Sequence, residues 1–432
     1  MSQFWEFAFK NLFRNKRRTL STATAICVGF VGLNLLGAYI YRSKKALDAT
    51  SVYSAQRGHI SIYKKNAVEQ YQVKPRQYVL TKKDIEEIQI VLKQYGDSVD
   101  YTSTKLSATA LISNGTKSYP VVVYGFEPES YKKSLQQKDL LLWAKDWVIP
   151  SQLENLDIFI QNPETISLTQ RIGEVMALDY PFKSSEYLQL AGKNLDGDLN
   201  AINVLLGAEH TTGLQFLEDT VVLLPIQKVQ ELLSTDSVES FSIYLKTFSD
   251  TNDVIQKLRQ HFDKMKLNYD VFRFDDVAIN SMHQGTMGFL YVMGGFFVFL
   301  ICTAVSLTII NSLTMGIIER TREIGTLRAV GFKVQQVIEL FTKESILLAA
   351  LSMLVGVILS FMICEIVNKL EIKFFPPGAS QKILFILNWN VGIAASVFVL
   401  LMLVTWLSSY LVIKNKMKVK LISLINDSGE NS

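Results

Sequence analysis

Hydrophobic positions along this chain follow two different patterns. In four stretches, Leu20–Tyr41, Phe289–Ile310, Ser345–Val367 and Val391–Ile413, nearly every position is apolar, and Glu365 is the one charge inside them. Crossing about 30 Å of hydrocarbon takes roughly 20 helical residues, so each stretch is long enough to span a membrane. Glu365 lies within three residues of the end of its stretch and reads as interfacial. Between the first and second stretches the pattern changes to short β-rich runs, "GHISIY", "SATALIS", "YPVVVYGF", "EYLQLAG", "NVLLGA" and "TVVLLP". Helical segments alternate with them: "TKKDIEEIQIVLKQYG", with Thr81 placed to cap it, "IQKVQELLS" and "DTNDVIQKLRQHF". The expected architecture is four transmembrane helices and a large α+β extracytoplasmic domain between helices 1 and 2. That domain reads as two lobes, with boundaries sought near Lys105–Asn114 and Gly197–Asn203.

Before the first span, Phe4, Trp5, Ala8, Phe9, Leu12 and Phe13 share one helical face and Glu6, Lys10 and Arg14 the other, the division of a helix lying in the membrane interface. Small residues recur at helix-contact spacing in the third span (Ser352, Gly356, Ser360) and the first (Ala25, Gly29), where they allow close approach. The predicted order is an interfacial helix at 1–18, span 1 at 19–41, the extracytoplasmic domain at 42–287 and span 2 at 288–312. A charged loop follows at 313–344, then span 3 at 345–367, a short outside loop at 368–388, span 4 at 389–413 and a tail at 414–432.

Charge settles the expected orientation. Lys10, Arg14, Lys16, Arg17 and Arg18 precede span 1, Arg320, Arg322, Arg328 and Lys333 lie between spans 2 and 3, and Lys414, Lys416, Lys418 and Lys420 follow span 4. Positive flanks stay cytoplasmic, which places both termini and the charged loop inside; Lys369, Lys373 and Lys382 are a minority on the other side. The first span is too long for a signal peptide and lacks a small-residue cleavage site, so it reads as an uncleaved anchor. A net charge of +4 is explained by topology and gives no reason to expect nucleic acid. All three cysteines fall in predicted spans, leaving the large domain to fold without disulfides. The four histidines, His59, His210, His261 and His283, show no ligand spacing, so no metal is expected and they read as surface or loop residues. Neither H-E-x-x-H nor G-x-S-x-G occurs, and no catalytic residues are assigned.

The stretch "ERTREIGTLRAVGF", Glu319–Phe332, carries five charges in its first ten residues. Wound as one helix, Ile317, Ile324, Leu327 and Gly331 fall on one side and Glu319, Arg322, Glu323 and Thr326 on the other, with Arg320 and Arg328 at the borders. Topology alone requires positive charge but not interleaved glutamates. Mixed charge on a short rigid helix suits docking to another protein, and a solvated face is the alternative.

That stretch, followed by Glu344, resembles the cytoplasmic loop of FtsX-like ABC-transporter permeases, the superfamily of MacB and of the LolC/LolE lipoprotein-release subunits. "FAFKNLFRNKRRTLST" resembles the N-terminal helix of that family, and "GHISIY", "DGDLNAINVLLGAEHTTGLQFLEDTVVLLPIQKVQELL" and "FPPG" resemble the LolE-type branch. Residues 127–165 match nothing in it. The resemblance implies a MacB-like periplasmic core, a multi-pass protein of the bacterial inner membrane, and two permeases, identical or paralogous, bound to two copies of a separate ABC ATPase. It implies a coupling helix of Glu319, Arg320, Arg322, Glu323, Gly325, Leu327, Arg328 and Gly331 against that ATPase, with Phe4, Trp5 and Arg14 in the interfacial helix. ATP and Mg would belong to the partner; this chain would bind no cofactor, and no G-x-x-x-x-G-K-[ST] phosphate loop occurs in it.

Within that frame the cargo stays open. Lipoprotein release by mechanotransmission would use an apolar lining near Phe30, Leu33, Phe289 and Tyr291 facing membrane lipid or an acyl chain. A MacB-like efflux role, with a periplasmic adaptor, meets the difficulty that this branch carries a fused N-terminal ATPase while 19 residues precede span 1 here. An FtsX-like scaffold regulating a cell-wall hydrolase would be smaller outside. An enzyme is disfavoured by the missing nucleophile and metal motifs.

Overall fold

The computed structural model describes residues 16–147, 150–180, 182, 186–376 and 378–416. The expected interfacial helix, with Phe4, Trp5 and Arg14, and the tail beyond 416 lie outside the described residues. The chain divides into a helical unit (up to Arg42, Gly288–Ile372 and from Phe385) and an inserted domain (Ser43–Met287 with Lys373–Leu384).

Among the described residues five helices build the first unit: α1 (Lys16–Ala49), α2 (Ser281–Glu319), α3 (Thr321–Ala329), α4 (Val334–Lys369) and α5 (Val391–Lys416). All but α3 are long and apolar enough to cross a membrane, and this is a membrane protein. The α2 helix of 39 residues extends roughly 58 Å, well beyond the hydrocarbon thickness. Apolar side chains gain little by leaving lipid for one another, so such helices associate through close contact and buried hydrogen bonds. Both are present. Phe30 of α1 is fully buried over Gly356 of α4, where a Cβ would lie 2.8 Å from its ring. Gly29 does the same for Val305. Asn34 Nδ2 and Trp389 Nε1 both donate to Ser360 Oγ, at 3.1 and 3.2 Å, and Thr22 Oγ1 donates to Ser312 at 2.8 Å.

This packing corrects the expected lipid- or cargo-facing lining. Phe30 and Leu33 are core residues of the bundle, because the pocket over Gly356 sets the rotation of α1. Phe289 and Tyr291 are exposed, at 65% and 54%.

Among the described residues the main sheet of the inserted domain has nine strands: β1 (Ile60–Lys64), β2 (Val99–Ser113), β3 (Ser118–Phe126), β4 (Thr165–Leu168), β5 (Tyr187–Lys193), β6 (Leu199–Glu209), β7 (Val221–Pro225), β8 (Ser240–Leu245) and β9 (Tyr269–Arg273). They are ordered β3-β7-β4-β6-β5-β2-β8-β1-β9, and β2 also pairs with β3, so six strands close into a ring. The long β2 belongs to both halves. Val99–Lys105 pairs with β8, Ala110–Ser113 pairs with β5, and Lys105–Ser113 pairs with β3. The partner change falls between Lys105 and Ala110, inside one continuous strand of a single compact unit. Gly197–Asn203 is instead the β5–β6 turn and the start of β6, with Gly197 at φ +93°, and the chain returns to β8 after helix Ile226–Leu233.

Helix Lys82–Leu92 begins in a reciprocal capping box of Thr81 and Asp84 and buries Ile88, Val91 and Leu92 in the main core. Residues 127–165, unplaced by resemblance, fold as helices Pro128–Leu135, Lys138–Ala144 and Pro150–Gln161 before β4. The expected short loop at 368–388 is also structured. Lys373–Phe374 pairs with Ile383–Leu384, Ala379 bridges to Leu214, and Ser380 Oγ donates to Glu218 Oε1 at 3.2 Å. That oxygen also accepts from Thr211 Oγ1 and from the Thr212 backbone at 2.6 Å each.

The histidines need a second correction. His59, His210 and His283 are buried, not surface residues. A neutral imidazole is a half-apolar disc with one acceptor, and His59 uses it so: Nδ1 accepts from Leu245 N–H at 3.0 Å and the ring meets Phe248 edge-on. His210 Nδ1 lies 3.0 Å from Ser167 Oγ. Burial pushes His59 down to about 4 and His210 down to about 3.

Two predictions follow from this packing. Gly356→Leu is expected to cost about 1–3 kcal/mol by overfilling the pocket, part of it recovered by adding Phe30→Ala, as thermal unfolding of the full chain in detergent would show. The unfolded chain protonates its histidines near pH 6.5 while His59 and His210 stay neutral when folded. Stability is therefore expected to fall as pH drops from 6.5 towards 4, by up to about 3 kcal/mol for each ring. Melting temperatures at pH 7.5 and 4.5 check this, and the interval should narrow in His59→Gln and His210→Gln.

Candidate functional site

The charged turn is built by two interruptions of helix. At Arg320 the backbone turns to φ −105°, ψ 18°, ending α2 and starting α3 afresh. At Gly331, φ +102°, the chain leaves α3 in a left-handed residue that glycine tolerates without strain. Phe332 N–H donates to Leu327 C=O and Gly331 N–H to Arg328 C=O, the paired bonds of a Schellman motif. Lys333 N–H then donates to Gln336 Oε1 at 2.8 Å and α4 begins.

One face of this turn is pinned. Ile324 packs with Ile317, Val337, Ile338, Phe341 and Ile413. Arg320 Nη1 reaches both carboxylate oxygens of Glu344, at 3.0 and 3.3 Å, with side chains only 8% and 14% exposed. Its guanidinium also lies 5.9 Å from the Phe341 ring. A second pair, Arg18 Nη1 to Glu319 Oε2 at 2.9 Å, ties α1 to the end of α2. Gly316 makes room for it: a Cβ there would lie 2.7 Å from the Arg18 guanidinium.

The structure therefore divides the predicted docking residues. Arg320 and Gly325 face inward and are unavailable to a partner, a correction with a simple cause. One continuous wheel from Ile317 to Gly331 assumes unbroken helix, whereas the break at Arg320 resets the phase. Glu319, Arg322 and Gly331 are exposed, and Glu323, Leu327 and Arg328 are half-buried. Thr326, already placed on the charged face by the sequence, is exposed too, and Ala329 and Val330, which the sequence did not single out, complete the open surface, Val330 at 76% exposure. Among the described residues neither Arg322 nor Arg328 is ion-paired. The turn thus offers two uncompensated guanidinium groups and a small apolar edge on a scaffold fixed from behind. Among the described residues no three His, Cys, Asp or Glu side chains converge as a metal set.

Glu344→Gln strips a buried guanidinium of its partner and is expected to cost about 3–5 kcal/mol, whereas Arg320→Met with Glu344→Leu should stay near the parent stability. Unfolding temperatures of the purified chain compare the two. Equal losses would mean that the pair does not hold the turn.

A family model covers this turn and the spans beside it. Residues 295–418 match the family model described as FtsX-like permease C-terminal. The ABC transporter permease YtrF of Bacillus subtilis is 32% identical over 94 residues, 21% of this chain and 22% of YtrF. The uncharacterized ABC transporter permease MJ1507 of Methanocaldococcus jannaschii is 24% identical over 163 residues, 36% of this chain and 39% of that protein. The chain thus spans well under half the length of either relative. Among solved structures, the periplasmic region of MacB from Actinobacillus actinomycetemcomitans aligns with a TM-score of 0.33 at 12% identity, over 50% of this chain and 88% of that one. The extracellular domain of the noncanonic ABC-type transporter YknZ from Gram-positive bacteria gives 0.32 at 12%, over 50% and 99%. Most of α2, the pinned turn, α4 and α5 lie inside the segment, residues 295–418, that is similar to the FtsX-like permease C-terminal model.

Proposed function

We propose that the chain is the permease subunit of an ABC transporter, and that the open face of α3 docks a separate ATPase. The observation that carries this reading is the pinned turn. A nine-residue helix is held between two spans by the buried Arg320–Glu344 pair and presents Arg322, Thr326, Val330 and Gly331 outward. Unpaired guanidinium groups on such a helix suit an acidic rim on a partner, where complementary charge sets register. Hydrolysis of ATP, with its Mg, then belongs to the partner, two copies of which meet two paired permeases, identical or paralogous. The protein sits in a bacterial inner membrane with its termini and α3 on the cytoplasmic side, by the positive flanks of its spans.

Motion at α3 passes to the inserted domain by mechanotransmission. Support comes from chain connectivity, since α1 leads into that domain and α2 leads out of it. At their domain ends the two are tied together: His283 Nε2 lies 2.9 Å from Asp48 Oδ1, and Asn280 Nδ2 donates to Ser51 Oγ at 3.0 Å. The cargo in this reading is a lipid-anchored protein. The apolar face of α2 that carries Phe289, Val292, Phe296 and Phe299 is open to hydrocarbon, as extraction of an acyl chain requires.

Replacing Arg322 and Arg328 with Glu is expected to abolish co-purification of an ATPase in mild detergent while membrane insertion survives. Retained ATPase in that variant would end the docking assignment. Mass spectrometry of the parent complex tests the cargo: a co-purifying triacylated protein supports lipoprotein release, and a soluble hydrolase in its place points to signalling.

A further inference from the structure

A cleft of about 280 Å³ opens in the inserted domain between the turn after α1, strand β3, the β6–β7 connection and the start of α2. Leu47, Phe126, Phe216, Leu217, Leu223 and Met282 give it apolar walls, and among the described residues no Asp or Glu lines it. Most polar groups on its walls are already engaged. Thr211 and Thr212 bind Glu218, Asn280 binds Ser51 and the Phe274 carbonyl, and His283 pairs with Asp48.

Two cations also stand on these walls. Arg57 Nε donates to the Ile279 carbonyl at 3.2 Å, and Lys105 Nζ sits 4.0 Å over the Tyr124 ring, but among the described residues neither is ion-paired. They also repel each other. Burial first, and then Arg57, push Lys105 down to about 8, and Glu239, whose carboxylate accepts from Ser107, opposes this without pairing. Partly buried like charges without a counter-ion are costly unless an anion neutralises them. The apolar walls ask for hydrocarbon beside that anion.

We propose that this cleft binds an anionic amphiphile, a single hydrocarbon chain ending in a carboxylate or a phosphate, with Arg57 and Lys105 on the head group and the chain along Phe126, Leu217 and Leu223. Its volume is at the small end of ligand-sized cavities, about 300–1,000 Å³, and suits one chain. The cleft is walled by Thr50–Arg57 on one side and Asn280–His283 on the other, so an occupant touches both segments through which the chain enters and leaves the domain. The site needs no ATPase and stands apart from the docking role of α3.

The test uses the full chain in phosphatidylcholine nanodiscs with three diazirine probes of equal chain length: a fatty acid, a lysophosphatidate and the fatty alcohol. After irradiation, modified peptides are mapped by mass spectrometry. At least one anionic probe is expected to label segments 47–57, 124–131 and 211–223 about tenfold more than the alcohol does, the preferred anion separating carboxylate from phosphate. Arg57→Gln with Lys105→Gln should remove that excess while labelling of α2, α4 and α5 stays constant. Should the double variant misfold, the anion-to-alcohol ratio on the unaltered chain decides alone. Equal labelling by all three probes, or labelling confined to the membrane helices, overturns the proposal. Loss of ATPase binding in the Arg322/Arg328 variant would leave this readout untouched, so the two readings fail separately.

Discussion

Inside a bilayer an apolar side chain gains little from another apolar side chain, and this constraint shapes the helical unit. Its long helices are held where backbones come close or polar groups meet: Phe30 over Gly356, Val305 against Gly29, and Asn34 and Trp389 on Ser360. Those few contacts set the rotation of each helix and therefore which residues turn inward at the ends. The charged turn depends on them. Arg320 and Glu344 can meet only because α2 and α4 are already in register, and their meeting fixes α3 between two backbone breaks.

The inserted domain solves a different problem with β-structure. Strand β2 exchanges one partner for another along its length, so a closed ring and an open three-strand extension share a continuous core. Lys105 stands where the exchange begins, which places its ammonium over Tyr124 and, with Arg57, in the lining of an apolar cleft. The same long-range pairing buries His59 against β8 and His210 against β4. A loop between spans, 373–384, adds its own strand pair and a hydrogen bond to the heavily bonded carboxylate of Glu218.

Much of this was legible beforehand, for identifiable reasons. Spans, caps and alternating strands are local signals: a 20-residue apolar run, Thr81 before a helical pattern, or "YPVVVYGF" needs no knowledge of distant residues. Strand β8, "SFSIYL", was not among the runs read from the sequence, and all six of its residues are buried, the serines included. The break at Arg320 escaped because nothing in "GIIERTREIG" stops a helix; the turn is imposed by the distant Glu344 and the apolar cluster behind Ile324. The histidines were misplaced because a neutral ring accepting one backbone hydrogen bond leaves no spacing signature.

By itself the sequence determined the number of spans, the large insertion, the charged turn and the small residues that let helices touch, since each follows from length, periodicity or local backbone chemistry. Only the tertiary structure decided that Phe30 and Leu33 are core, that Arg320 is buried and Arg322 is not, and that Arg57 and Lys105 share one cleft. Those outcomes are pairings between residues tens to hundreds of positions apart. Such pairings depend on which helix faces and strand edges finally meet, and no local pattern carries that information.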